Sequence, residues 1–430
     1  MQDIILLGAG ASIEAGVPGA FKMTERIVEL FESDYNEHSR ILKFAIGGLL
    51  FQQGAMGNNP FGGVNVEDLF NTVQMLSKRH SSEVSPFVSS WHPMLSELDR
   101  LSAKRRSGKD LQKALYQRLS KDLLKELQDK SRDIDRSIDD YVNDRMMGRN
   151  NSRGPGKLIH GMLKDSFRGL ASSMPISGSQ FARELEEMVY GDGGENDGHL
   201  FQQTLELMVY MLVDLVWIED IDKVTYLEPL LKMSIDASRT IVSLNYDNAI
   251  ELAGARLGIN VDTGIASWSQ TGEFPINDKG VNLLKLHGSI DWALKFKDPS
   301  PSKPLPYEVI EQVSGEDIKE LSIFPSLIFG QRNKLTAQGP FLDLLRAFRT
   351  ALAGANGLTV IGYSFRDDHI YEFIKHWFNG KPDRLIRIIN GPSFASNPDS
   401  PFAYDLIKTA AYRVEVIPKY ASEGIEACFT

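Results

Sequence analysis

Residues 358–365, Leu-Thr-Val-Ile-Gly-Tyr-Ser-Phe, run a short apolar strand into a small-residue turn, and residues 367–378 then read as a helix. A strand open to water on one face alternates polar and apolar residues. This one does not, as expected of a parallel strand covered by helices on both faces. A helical pattern at 339–353 precedes it, and two similar strands follow, LIRIIN (385–390) and RVEVIP (413–418). Working back towards the N-terminus, the same kind of run appears as LLKLHG (283–288), TIVSLN (240–245) and IILLG (4–8), with a helix over 246–257. The alternation predicts an α/β fold: a doubly wound, Rossmann-like parallel sheet. Residues 20–235 are rich in helix formers, so a large helical insertion is expected between the first strand and the rest. The boundaries read as 1–64 and 236–430 for the sheet domain and 65–235 for the insertion.

Bulk properties narrow the classes. The chain has 430 residues, 42% hydrophobic and 24% charged, enough to bury a real core. A net charge of −10 argues against bare nucleic acid as a direct partner. Cys428 is the only cysteine, which excludes an internal disulfide and a cysteine-rich zinc site and fits an intracellular, cytoplasmic protein. The opening MQDIILLGAGAS lacks the basic region and long apolar core of a signal peptide. The stretch 204–218 is interrupted by Glu206 and Asp214 and reads as a buried helix, not a membrane span.

The middle of the chain gives coarser expectations. Leu111, Leu115, Leu119, Leu123 and Leu127 form one helical stripe, suited to the core or to another subunit. Residues 128–153 read as a solvated helix ending at Gly154-Pro155-Gly156, and 191–198 as a loop. Lys104-Arg105-Arg106 reads as a solvated loop. The prolines at 299, 301, 304 and 306 predict an extended connector over 298–306.

Five polar strand ends carry the candidate chemistry. Gly8-Ala9-Gly10-Ala11-Ser12, with Ala15-Gly16-Val17-Pro18 after it, is a glycine turn opening toward a helix. Its glycines allow close backbone approach, and a helix N-terminus offers N–H groups to a pyrophosphate; a plain strand-to-helix turn is the alternative. Ser243-Leu244-Asn245-Tyr246-Asp247 places two polar side chains at a strand end, as ligand groups or as caps of the next helix. Lys285-Leu286-His287-Gly288-Ser289 ends another strand on a histidine, functional or structural. Gly362-Tyr363-Ser364, before Asp367 and Asp368, and Ile388-Ile389-Asn390-Gly391 complete the set. Asp291 and Asp368 read as caps or ion-pair partners. All five ends are expected along one edge of one sheet.

In order and spacing these motifs resemble the sirtuin superfamily. GAGAS with GVP is similar to its phosphate-binding turn, SLNYD to its nicotinamide-ribose Asn and Asp, KLHGS to the segment with its catalytic histidine, and GYSF and IIN to the ends that hold the adenosine half of NAD. Asn65-Val66-Glu67-Asp68-Leu69-Phe70 and Phe324-Pro325-Ser326-Leu327-Ile328, then Lys334, resemble the prokaryotic sirtuin-like branch. Two departures matter: the paired-cysteine zinc module of protein deacylases cannot form, and Gly19-Ala20-Phe21-Lys22 replaces the acidic-aromatic-arginine run.

The resemblance therefore implies a sirtuin-like NADase of antiphage defence: no zinc, NAD as substrate, a homo-oligomer, and a HerA-like ATPase or short Argonaute as a possible partner. It implies catalytic roles for Asn245, His287 and Asp247. Asn245 would hold the nicotinamide ribose and water, His287 would act as general base, and Asp247 would orient the ribose or His287 or stabilise positive charge. Gly8, Ala9, Gly10, Ala11, Ser12, Gly16 and Pro18 would line the pyrophosphate, and Gly362, Ser364 and Asn390 the adenosine side. An NAD- or ADP-ribose-binding sensor without turnover, an ADP-ribosyltransferase and a structural subunit are the alternatives.

Overall fold

The computed structural model describes residues 3–57, 59, 62–79, 199–236, 239–277, 280–301, 303–314, 325–327, 339–396, 398 and 400–429. The leucine stripe, Lys104-Arg105-Arg106, the segments 128–156 and 191–198, Phe324, Ile328 and Lys334 lie outside these residues. The chain divides into two compact units, Met1–Thr72 with Leu205–Thr430, and Val73–Thr204. In the second unit, Arg79 is buried with its guanidinium 5.1 Å from the centre of the Phe201 ring.

The first unit is built on a sheet of seven described strands: β1 (Asp3–Leu7), β2 (Thr240–Ser243), β3 (Val261–Asp262), β4 (Val281–Lys285), β8 (Gly357–Ile361), β9 (Leu385–Asn390) and β10 (Val414–Pro418). Their order is β10-β9-β8-β1-β2-β4-β3, and every pairing is parallel. The six strands expected from the apolar runs are all present, together with the two-residue β3. Residues 288–297 (β5), 307–312 (β6) and 325–327 (β7) form a separate antiparallel sheet in the order β6-β5-β7. Residues 298–301 and 303–306 consequently belong to the loop of the β5–β6 hairpin, with Ser300 and Lys303 bridged, instead of an extended connector.

Helices lie between the strands. Between β1 and β2 come α1 (Ala20–Asp34), α2 (Asn36–Ala55), α3 (Val66–Ser77), α4 (His199–Val216) and α5 (Glu228–Asp236), with a 3₁₀ helix over Ile221–Leu227. The others are α6 (Ala249–Leu257), α7 (Ile265–Thr271), α8 (Phe341–Gly354), α9 (Asp368–Gly380), α10 (Pro401–Thr409) and α11 (Ala421–Phe429). The stretch expected as a buried helix is the body of α4, and among the described residues no helix is long and apolar enough to cross a membrane.

Strand periodicity explains the double winding. Side chains alternate between faces along a strand. Leu6, Val242, Leu284, Val360 and Ile388 share one core cluster with Leu344, Phe348 and Ile374 of α8 and α9. The next residue along β9, Ile389, faces the other way, against Gly424 of α11. With both faces covered, alternation is lost and the central strands β1, β2 and β8 read as nearly unbroken apolar runs. β1 lies at the centre, with β2 on one side and β8 on the other, so the direction of winding reverses there. A crevice at the carboxyl ends of such strands is where ligands bind in this architecture.

Candidate functional site

The parallel register sets Leu7 beside Ser243 and Ile361, Ser243 beside Lys285, and Ile361 beside Ile389. The five strand ends read from the sequence thus share one edge. Gly8, Leu244, Leu286, Gly362 and Gly391 leave the sheet there, and hydrogen bonds from Gly8 N to Ile361 O, Leu244 N to Leu7 O and Leu286 N to Ser243 O continue the pairing (2.9, 2.9 and 3.0 Å).

The glycine turn differs from the expectation of a helix opening straight from the strand. Only a single 3₁₀ turn, Ala9–Ala11, follows β1, and α1 begins at Ala20. The N–H groups of Gly10, Ala11 and Ser12 donate to Gly362 O, Gly8 O and Ala9 O, at 2.8, 2.9 and 3.2 Å. Ala9, exposed at the crest, keeps its N–H outside that set. The small residues serve first to bring backbone against backbone. A Cβ on Gly10 would lie 2.7 Å from Gly362 Cα, and one on Gly362, which sits at φ +64°, would lie 2.2 Å from Ala11 N. Gly16 and Pro18 sit further along the same loop, Gly16 beside Lys223.

Asn245 joins this turn to β2. Its amide nitrogen donates to Gly8 O (3.0 Å) and to Ser12 Oγ (2.9 Å), and no described residue donates to its Oδ1. Asp247 is buried beside it and accepts from Ala249 N at 3.1 Å, so it also caps the start of α6. Burial pushes its carboxyl above the usual range, against the opposing charge of Lys285 and a hydrogen bond from Ser12. Tyr226 braces the turn from below, its hydroxyl donating to Ala11 O at 2.6 Å. Burial, with the charges of Asp247 and Glu14, holds that phenol protonated. Glu14 in turn accepts from Ser422 N and Oγ (2.7 and 2.6 Å) at the start of α11.

His287 is 4% exposed, and its Nε2 lies 3.0 Å from Asp367 Oδ2. Asp367, not Asp247, is therefore the carboxylate that holds the imidazole. Its other oxygen accepts from His369 N (3.1 Å) and Ile370 N (3.4 Å), capping α9. Asp367 reaches this position because Phe365 adopts φ 58°, a left-handed conformation held by its packing against Tyr363, Phe394 and Phe402. Asp368, next along, is exposed in the first turn of α9. Tyr246 lies against the imidazole, ring centres 6.2 Å apart, and its hydroxyl is 3.5 Å from Glu67.

The adenosine-side candidates divide. Ser364 is half-buried, with no hydrogen bond to a described residue. Asn390 has both side-chain groups engaged: Nδ2 donates to Tyr363 O (3.1 Å), and Oδ1 accepts from Gly391 N (2.9 Å). It braces the two strand-end turns. Asp291 accepts from Gln312 Nε2 at 3.2 Å.

Sequence reasoning assigned no role to three neighbours of the site. Asp367 stands 80 positions from His287, and its only local signal is the helix cap. Tyr226 lies in the middle region. Lys285 did carry a signal, because a lysine inside an unbroken apolar strand has to be paired when buried. Among the described residues no group of three or more His, Cys, Asp or Glu is arranged to hold a metal.

Residues 239–416 match the family model described as the SIR2-like domain. The matched segment takes in Asn245, Asp247, His287, Gly362, Ser364 and Asn390; the Gly8–Pro18 turn precedes it. No curated protein matches the chain. Solved structures similar to it include one described as "Structure of Sir2Tm bound to a propionylated peptide", 15% identical, covering 53% of this chain and 79% of that chain with a TM-score of 0.32. Another, "Structural Basis for the Mechanism and Regulation of Sir2 Enzymes", is 12% identical and covers 54% of this chain and 76% of that chain, also with a TM-score of 0.32. The sheet order and register establish the fold without them.

Proposed function

We propose that this chain is an NAD hydrolase that cleaves the nicotinamide–ribose bond to give nicotinamide and ADP-ribose. The observation that carries the reading is the junction of Asn245, Ser12 and the glycine turn, with Asp247 and His287 on the same sheet edge. These groups suit a reaction whose transition state develops positive charge on a ribose held by hydrogen bonds.

In this reading the C1′–N bond breaks and its electron pair passes to the nicotinamide nitrogen, which leaves neutral. Water adds to C1′, and its proton passes to His287. The free Oδ1 of Asn245 accepts from the ribose or the water. Asp367 takes the Nε2–H of His287, which leaves the lone pair on Nδ1 and fixes the ring. The buried Asp247 carboxylate supplies negative charge beside the developing cation. Ala9 N–H is the turn donor left for the pyrophosphate, and Ser364 offers a hydroxyl to the adenosine half. No zinc is required by this chemistry.

The ordered motifs also support placing the chain among cytoplasmic NADases that deplete NAD in antiphage defence. There it would act as a homo-oligomer or with a HerA-like ATPase or short Argonaute partner, with 65–235 as the helical insertion. The internal engagement of Asn245 Nδ2 and Asn390 favours one other reading, an NAD- or ADP-ribose-binding sensor without turnover.

Nicotinamide release by the wild type and by Asn245→Ala and His287→Ala separates these. Loss of a positioned catalytic group lowers turnover ~10²–10⁴-fold, so both variants are expected to fall by that much while remaining folded. Wild-type turnover in both would end the assignment, and tight NAD binding with no nicotinamide release would favour the sensor.

A further inference from the structure

We propose that Lys285 is a positioning residue which, with Glu251 as its counter-ion, fixes the Asn245–Asp247 turn and keeps the Asp247 carboxylate ionised. Its catalytic meaning rests on the hydrolase reading; the ionisation of Asp247 can be measured without turnover.

Lys285 ends β4 with its side chain 1% exposed. The ammonium has three protons and three acceptors: Asp247 O at 2.6 Å, Ser289 Oγ at 2.6 Å and Glu251 Oε1 at 2.8 Å. One cation thus ties the end of β4 to β5, to α6 and to the turn that presents Asn245 and Asp247. Its donors are saturated, so it is not itself poised to contact a ligand. It lies two residues before His287 and grips the backbone of Asp247, linking the two motifs.

The charges around it do not balance. Glu251 pairs with the ammonium directly, while Asp247 and Asp291 act on it through space and help hold its proton despite burial. Asp291 Oδ1 is buried with no hydrogen-bond partner. Three carboxylates therefore share one cation. Asp247 faces Lys285 from β4 and Ser12 from the glycine turn, its charge acts on Tyr226 of the 3₁₀ helix, and Glu251 of α6 meets it through the shared ammonium. Tyr226 is neutral, which leaves Lys285 as the positive charge favouring the carboxylate. Glu251 draws on that same charge, so removing either member of the pair has opposite effects on Asp247.

The test compares Lys285→Met and Glu251→Gln, each with and without Asp247→Asn. Because the folded-state pKa of Asp247 is raised, the folded protein retains a proton that the unfolded chain releases. Wild type should lose stability relative to Asp247→Asn as pH rises from about 3.9, the unfolded value, through the folded one. Lys285→Met should extend that loss to higher pH, and Glu251→Gln should curtail it, as followed by melting temperature across pH. The acid limb of kcat/KM for nicotinamide release should move up by about 1 unit or more in Lys285→Met and down in Glu251→Gln.

Displacements in the same direction, or none, would overturn the proposal. If Lys285→Met does not fold, Glu251→Gln decides alone: a downward shift supports the proposal, and no shift or an upward one overturns it. Wild type that releases no nicotinamide would remove the hydrolase reading and leave the melting profiles to judge the charge coupling.

Discussion

Asp367 performs two tasks with its two oxygens, and a single-atom change separates them. Oδ1 accepts from the N–H groups of His369 and Ile370, and Oδ2 meets Nε2 of His287. In Asp367→Asn the side-chain oxygen has to stay on the helix N–H groups, since an amide NH₂ cannot accept from them. The NH₂ then points at His287 and requires Nε2 to be the acceptor, so the ring proton moves to Nδ1. Asn caps helices about as well as Asp. The stability change is therefore the difference between a charge-assisted and a neutral hydrogen bond, about 1 kcal/mol. Asp367→Ala loses the cap as well, about 0.5–2 kcal/mol, and leaves a buried imidazole without its carboxylate, about 1.5–3 kcal/mol, for a total of roughly 2–5 kcal/mol. Denaturant melts should rank wild type and Asp367→Asn close together, with Asp367→Ala well below. Nicotinamide release should nonetheless fall ~10²–10⁴-fold in Asp367→Asn, with KM little changed because both Asp367 oxygens are engaged by protein groups. Wild-type turnover in Asp367→Asn would refute the role given to this carboxylate, and unchanged stability in Asp367→Ala would refute the cap.

Other perturbations test the frame of the site. Gly362→Ala combines a left-handed backbone, about 1–2 kcal/mol, with a methyl group 2.2 Å from Ala11 N; thermal melts should show severe destabilisation, and a wild-type melting point would contradict the backbone contact. Tyr226→Phe removes the hydroxyl from Ala11 O and should cost about 0.5–1.5 kcal/mol, with weaker NAD binding by calorimetry; unchanged affinity would detach Tyr226 from the turn. Trp292→Ala should cost about 3–5 kcal/mol, because its side chain is wholly buried in the core; a loss under about 1 kcal/mol in a denaturant melt would contradict that burial.

The centre of the main sheet is legible because β1, β2 and β8 are covered on both faces and so appear as nearly uninterrupted apolar runs. The antiparallel sheet is harder to read. Ile290, Trp292, Leu294 and Phe296 alternate with Ser289, Asp291, Ala293, Lys295 and Lys297, a strand pattern that the apolar Ala293 interrupts. The prolines that follow nevertheless read as the end of structure when they are the loop of a hairpin. β3 has two residues and offers too little pattern. Within the site, Asn245 and His287 stand out as polar residues at strand ends. The pairing of His287 with Asp367 is set by the left-handed bend at Phe365, which no local pattern announces. The glycines of the first turn were legible as a need for close approach, while the object approached, the backbone of Gly362, depends on which strands become neighbours.

The central position of β1 has a consequence for biosynthesis. Its partners are residues 240–243 on one side and 357–361 on the other, so this strand is synthesised before both of its neighbours and waits for them in turn. At ordinary translation speeds the second partner emerges roughly 20–70 s later. During that interval Ile4-Ile5-Leu6-Leu7 is an unpaired apolar edge that needs shielding by a chaperone or by transient contacts. The crest of Ala9 cannot be seated on Gly362 until that wait is over, which ties the birth of the site to the emergence of β8.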